Sequence, residues 1–163
     1  MAILTPKYLA LEQCKMALSR ALRLATGGRF RDKLVREQCH VVILVPAVEG
    51  ARTEDYPDWP DYPVSPYALY ERSFGREFWE RPYDEIAKRK AIQLWTGRND
   101  GRSGSMPHLL FSRDTPFRGG VYREGIVVAS SGLQPWFDRM ISGIVADVLI
   151  ALARDAFEND PEV

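Results

Sequence analysis

His40-Val41-Val42-Ile43-Leu44-Val45-Pro46 is an unbroken apolar run with neither helical spacing nor alternation. A short run of this kind reads as a buried strand. Downstream, Tyr67 to Arg72 (Tyr-Ala-Leu-Tyr-Glu-Arg) reads as the return arm of a hairpin. Three further short strands fit His108–Ser112, Gly120–Arg123 and Ile126–Ser130, with Glu124-Gly125 suited to the tight turn between the last two.

Helices surround these strands. The first is expected from about Thr5 to Ala25, with Thr5 as N-cap, Pro6 at the first helical position and Gly27-Gly28 as the stop. A basic linker, Arg29 to Gln38, follows, with a short turn at Lys33-Leu34-Val35. The second helix spans about Pro82 to Thr96, its Asp84 and Glu85 favouring the positive end of the dipole. Phe137, Ile141, Ile144, Val145, Val148, Leu152 and Ala156 keep a 3.6 period within a last helix, Trp136 to about Phe157. Hairpins bracketed by long helices indicate an α+β fold. The expectation is one domain over residues 1–163, a five-stranded antiparallel sheet in a profilin-like layer arrangement. Long N- and C-terminal helices and a central helix cover it, and the acidic tail 158–163 frays.

Composition narrows the function classes. The 163 residues are 45% hydrophobic and 27% charged, with 22 basic residues balanced by 22 acidic ones. Neutrality argues against a phosphate-backbone binder and against polybasic membrane attachment. The apolar runs fall far short of the ~20 residues of a membrane-spanning helix. Arginines number 17 and lysines 5, so planar forks for carboxylates are abundant. The two cysteines, Cys14 and Cys39, sit beside apolar residues and read as buried, reduced thiols. No basic n-region opens the chain, so a cytoplasmic setting is the expectation.

Residues 47–66 form a Pro- and aromatic-rich insertion. Nine of the chain's 18 aromatic residues lie between Tyr56 and Tyr83, and Pro57, Pro60, Pro63 and Pro66 recur every third residue. That spacing suits an extended segment and no central strand. A lid, a subunit interface and self-docking all remain open for it.

Several blocks, taken in order, resemble a known family. They are Leu4-Thr5, Val41-Val42-Ile43-Leu44-Val45, Leu69-Tyr70-Glu71-Arg72 and Ile86-Ala87-Lys88-Arg89-Lys90-Ala91. Gly119-Gly120-Val121, Gly125-Ile126-Val127-Val128-Ala129, Ser131-Gly132 and Asp138 complete the series. Together they resemble the GlcG/HbpS-like haem-binding family, the domain also found at the C-terminus of PduO proteins. The Asp-x-Gly turn usual after the first strand is missing, and Ala129-Ser130-Ser131-Gly132 replaces a Gly-Val-Ser-Gly ending. The resemblance implies haem or a similar flat tetrapyrrole as ligand and a homo-oligomer as assembly.

The candidate residues follow. His108, at the junction of the Gly97–Met106 loop and a strand, would be the axial ligand to haem iron. Tyr122, beyond the Gly-Gly pair, would offer a tyrosinate. Arg102, Arg113 and Arg118 would pair with carboxylates such as propionates. Glu71, Arg72 and Lys90 are placed by the resemblance, as ligand contacts or as an internal ion pair. His40 reads as a satisfied histidine at the start of its strand. No GxSxG, GxGxxG, P-loop, HExxH or zinc-spaced cluster occurs. Asn99-Asp100-Gly101 reads as a turn.

Three readings stand at this point. The first is a haem-binding or flat-cofactor protein without turnover. The second is a small-molecule enzyme, an isomerase or biosynthetic tailoring enzyme, with His108, Tyr122, Asp114 and Arg113 in acid–base and anion-binding roles. A cleft too narrow for a porphyrin but lined by those four residues would favour it. The third is an interaction subunit with its aromatic insertion buried between chains.

Overall fold

The computed structural model describes residues 3–49 and 64–163. Its elements in chain order are β1 (Ile3–Leu4), α1 (Leu11–Thr26), α2 (Gly28–Arg31), β2 (Cys39–Glu49) and β3 (Ser65–Phe74). Then come α3 (Tyr83–Trp95), β4 (Gly120–Arg123), β5 (Ile126–Ser131) and α4 (Pro135–Glu158). The strands make one five-stranded antiparallel sheet, an α+β architecture. β2 is central, pairing with both β3 and β5, while β4 continues the sheet beyond β5.

β2 explains why the apolar run is continuous. Cys39, Val41, Ile43 and Val45 join the larger core with α1 and α4, whereas Val42 and Leu44 pack with Ala87, Ala91 and Leu94 of α3. β5 divides likewise, Ile126 and Val128 to one side and Val127 and Ala129 to the other. A strand sandwiched between helices must be apolar on both faces. Consequently α3 and α4 lie on opposite faces and can meet only around an end of the sheet.

The structure corrects several sequence expectations. The first helix begins at Leu11, not Thr5, because Ile3 and Leu4 are spent pairing with Glu49 and Val48 of β2. Gln13 then accepts the Ala10 N–H at 2.9 Å, doing the work expected of Thr5. His108–Ser112 is not a strand. Pro107–Leu109 forms a single 3₁₀ turn, and Leu109, Leu110 and Phe111 remain exposed instead of pairing. The fifth strand is β1.

β2 reaches Glu49 and β3 starts at Ser65, so both ends of the expected insertion belong to the hairpin. What remains of it, residues 50–63, lies outside the described residues, and with it the choice among lid, interface and self-docking. The tail is tethered, not frayed: Asp160 accepts hydrogen bonds from Lys7 Nζ and the Tyr8 hydroxyl, both at 2.6 Å.

Other readings match. Glu124 (φ 47°) and Gly125 (φ 91°) supply the two positive φ values that a type I′ hairpin demands. Cys14 and Cys39 are free and buried. Asp100 folds the Asn99–Gly101 region into a turn by accepting the N–H groups of Arg102, Ser103 and Gly104. Among the described residues no helix is long and apolar enough to cross a membrane.

Candidate functional site

The sequence places Lys90 where a lysine is least expected. Tyr83, Ala87, Lys90, Ala91 and Leu94 form the buried face of α3, so the helix period carries Lys90 inward. It is only 1% exposed. Its Nζ donates to the Ser130 carbonyl at 2.7 Å and lies 3.6 Å from Asp138 Oδ2. Asp138, in the first turn of α4 and 2% exposed, also accepts the Leu133 N–H at 3.1 Å. Lys90 and Asp138 thus join α3 to α4 around the end of the sheet.

Gly119 makes that meeting possible. Its φ is 130°, and a Cβ there would stand 2.7 Å from Asp138 Cβ and 3.1 Å from Lys90 Nζ. Ser142, one turn along α4 from Asp138, places its hydroxyl 2.9 Å from the Gly119 carbonyl and 2.8 Å from Ser130 Oγ. The backbone around the pair is therefore held on three sides.

Burial sets the protonation of these groups. It pushes the Asp138 carboxyl up from 3.8 to about 7, against the pull of Lys90, and pushes the Lys90 ammonium below its ordinary value, against the pull of Asp138. The buried Cys39 thiol is pushed up well above its ordinary range, chiefly by desolvation and then by Asp138. A carboxyl that keeps its proton near neutrality beside an amine that holds its own less firmly is poised for proton exchange.

The pair forms part of the wall of a cleft of about 190 Å³. Arg36, Arg81 and Arg118 also line it, as do Tyr83 and Gly132. The cleft lies beside the first residues of α3 and of α4, so two positive helix ends flank it. Arg36 donates to the Tyr83 hydroxyl at 2.9 Å, and Arg81 stacks 5.8 Å from the Phe117 ring centroid. The Arg118 guanidinium stacks 5.0 Å from the Trp136 ring centroid, which leaves its buried Nε without a hydrogen-bond partner among the described residues. None of the three arginines has a carboxylate partner among the described residues. Four basic side chains meet one carboxyl here, and the field favours an anion.

A second, wider cleft of about 720 Å³ wraps β4, between the loop after α3 and the middle of α4. Tyr122, 57% exposed, stands in its wall with Leu94, Met106 and Ile150. Its cations Arg102, Arg123 and Arg139 are matched in number by Asp100, Glu124 and Asp147, and Arg123 is ion-paired to Asp147.

The residues expected to act together are distributed among separate places. Lys90 and Arg118 share the small cleft, whereas Tyr122 and Arg102 belong to the wide one. His108 is exposed on its 3₁₀ turn and lines neither cleft, so it is not positioned as the ligand of a group held in either. Arg113 and Arg72 are exposed and line neither cleft. Asp114 is half-buried, ion-paired with Arg98 and accepting the Phe111 N–H at 2.9 Å, which makes it a loop clamp. Glu71 contacts His40 Nε2 at 3.0 Å and Lys88 at 3.4 Å, while His40 Nδ1 meets Ser73 Oγ at 2.9 Å. His40 is thus a satisfied histidine, as read from sequence. Lys90 pairs with Asp138 and not with Glu71, whose ion pair to α3 is made with Lys88.

Sequence reasoning missed Arg36, Arg81 and Tyr83, and gave Asp138 no chemical role. One signal was present: Lys90 falls seven residues after Tyr83, on the apolar stripe of its own helix. A lysine in that position needs a buried counter-charge. No protein-family model matches the chain, and no curated protein or solved structure gives a significant match.

Proposed function

We propose that this protein is a small-molecule enzyme that holds a compact carboxylate-bearing substrate in the Lys90–Asp138 cleft and moves a proton on it. The observation that carries this reading is the buried pair itself, in the wall of a cleft with four basic side chains and one carboxyl. The arginines and helix ends would orient the carboxylate. Asp138 and Lys90 would then exchange the proton with the carbon or oxygen beside it, the pattern of an isomerase or lyase half-reaction. A volume of about 190 Å³ lies below the roughly 300–1,000 Å³ of drug-sized ligand sites, so the substrate is small.

The test is calorimetric titration with acetate, pyruvate, succinate and inorganic phosphate, followed by incorporation of deuterium from D2O into the bound acid by NMR. Saturable binding of a carboxylate, weakened at least about tenfold in Arg118→Met, is expected, since a charge-assisted hydrogen bond contributes roughly 1.5–3 kcal/mol. Exchange should vanish in Asp138→Asn. Wild-type protein that binds none of the four, or an Arg118→Met variant that binds equally well, would overturn the reading.

A second reading keeps the flat cofactor implied by the family resemblance and moves it to the wide cleft. The observation favouring it is that cleft's volume, with Tyr122 as donor and Arg102 and Arg139 for the propionates. Haemin titration decides it. A Soret shift lost in Tyr122→Phe but kept in His108→Ala supports this placement, and the reverse pattern removes it.

A further inference from the structure

We propose that Lys90 is the covalent centre of the small cleft, its amine condensing with the carbonyl of an anionic aldehyde or 2-oxo acid to form an imine. This inference rests on the reading of the cleft as an anion site and adds the substrate class.

The placement of the chain's lysines is the first argument. Lys7, Lys15, Lys33 and Lys88 are all exposed, whereas Lys90 is 1% exposed and still lines the cleft. An ammonium has three donors. Among the described residues Lys90 finds one carbonyl at hydrogen-bond distance, Ser130, and one carboxylate oxygen at 3.6 Å. Desolvation and neighbouring cations are the two means by which proteins hold a lysine amine in its nucleophilic neutral form. Desolvation operates on Lys90, and Arg36, Arg81 and Arg118 line the same cleft without a carboxylate partner among the described residues.

Asp138 supplies the second half. Condensation needs a proton delivered to the carbonyl oxygen and another taken from nitrogen. The Lys90 nitrogen lone pair attacks the carbonyl carbon, the carbon–oxygen π bond opens, and the Asp138 carboxylic acid protonates the oxygen. The resulting carboxylate then takes a proton from the nitrogen, giving a neutral carbinolamine. Returning that proton to the hydroxyl expels it as water while the nitrogen lone pair forms the C=N bond. The last nitrogen proton passes to Asp138. The balance is amine plus carbonyl to imine plus water, with no change of oxidation state. The 3.6 Å separation puts the Lys90 nitrogen, and an oxygen on the carbon it attacks, within reach of one carboxyl for each transfer. The substrate's own carboxylate would meet Arg118, whose buried Nε lacks a partner among the described residues.

The experiment treats the full chain with pyruvate or glyoxylate and sodium borohydride near neutral pH, then maps the reduced adduct by peptide mass spectrometry. Borohydride also reduces the free carbonyl to an alcohol, but only an imine already formed leaves a carboxyalkyl group on the lysine. Labelling of Lys90 should exceed that of each exposed lysine by about tenfold, the direction opposite to accessibility and the mark of a positioned reaction. Succinate should compete, and Arg118→Met should lower the label at Lys90 alone. Label confined to Lys7, Lys15, Lys33 and Lys88, or no label, overturns the inference. If succinate still binds saturably in that case, the anion cleft stands and only the imine falls. If neither is seen, both fall together.

Discussion

The two clefts differ in size and also in how their charges are disposed. In the wide cleft three arginines are matched by three carboxylates, and Arg123 is already ion-paired to Asp147 at the surface. In the small cleft four basic side chains meet one carboxyl, and the Lys90–Asp138 pair is buried on both sides. Surface pairs of the first kind are screened and contribute little. A buried pair costs desolvation energy that mutual attraction repays only in part. Equal numbers of opposite charges suit a solvated surface, whereas an excess of basic side chains around a buried pair leaves room for a ligand to complete it. The first way to break this contrast is Lys90→Met. Leaving Asp138 buried and alone should cost about 3–5 kcal/mol of stability at pH 8, measured by urea unfolding. The loss should shrink at pH 5, where Asp138 is protonated. The double variant Lys90→Met/Asp138→Leu should recover most of the stability yet bind no anion. A double variant as unstable as the single one would show that the pair holds the fold, not a ligand.

pH tests the same pair without touching its partner. The folded-state pKa of Asp138, about 7, lies above its ordinary 3.8. The folded protein therefore binds this proton more tightly than the unfolded chain does. Its stabilising contribution is complete below about pH 4 and is lost as pH rises through 7, by at most about 1.4 kcal/mol per pH unit. The Lys90 ammonium is shifted downward, and the raised Cys39 thiol stays neutral within this window. The unfolding free energy of wild type minus that of Asp138→Asn should therefore fall between pH 4 and pH 7. A flat difference would place Asp138 in contact with water.

Gly119 separates geometry from charge. Alanine there would be strained at φ 130° and would press on Asp138 Cβ at 2.7 Å. The expected cost is about 1–3 kcal/mol in urea unfolding, together with weaker anion binding. Loss of stability with unchanged binding would detach the glycine from the site.

How much of this contrast the sequence announced depends on range. The buried strand at Val41–Val45, the α3 pattern Ile86-Ala87-Lys88-Arg89-Lys90-Ala91 and the Glu124-Gly125 turn are local, and each was legible because neighbouring residues impose it. The Lys90–Asp138 contact is not local. It joins helices on opposite faces of the sheet, and only the end of the sheet at Gly119 and Ser130 brings them together. His108–Ser112 misled for a related reason. Its apolar run suited a strand, but proline bounds it at Pro107 and Asp114 turns the chain back by capping the Phe111 N–H. Arg36 and Arg81 gave no signal at all, since a solvated arginine and one that lines a cleft look alike in a sequence with 17 of them.

The smallest expected effect is the control that sharpens the comparison most. Arg123→Met removes a cation from the wide cleft and frees Asp147 to water. Asp147 is exposed and Arg123 partly so, and unfolding free energy should change by less than about 1 kcal/mol. Carboxylate affinity at the small cleft should not change, because the Lys90 cleft does not include Arg123. Equal losses of affinity in Arg123→Met and Arg118→Met would mean that binding follows the overall positive charge of the protein rather than one cleft. A loss in Arg118→Met alone would place the ligand among the unneutralised cations, against the helix ends that flank the Lys90–Asp138 pair.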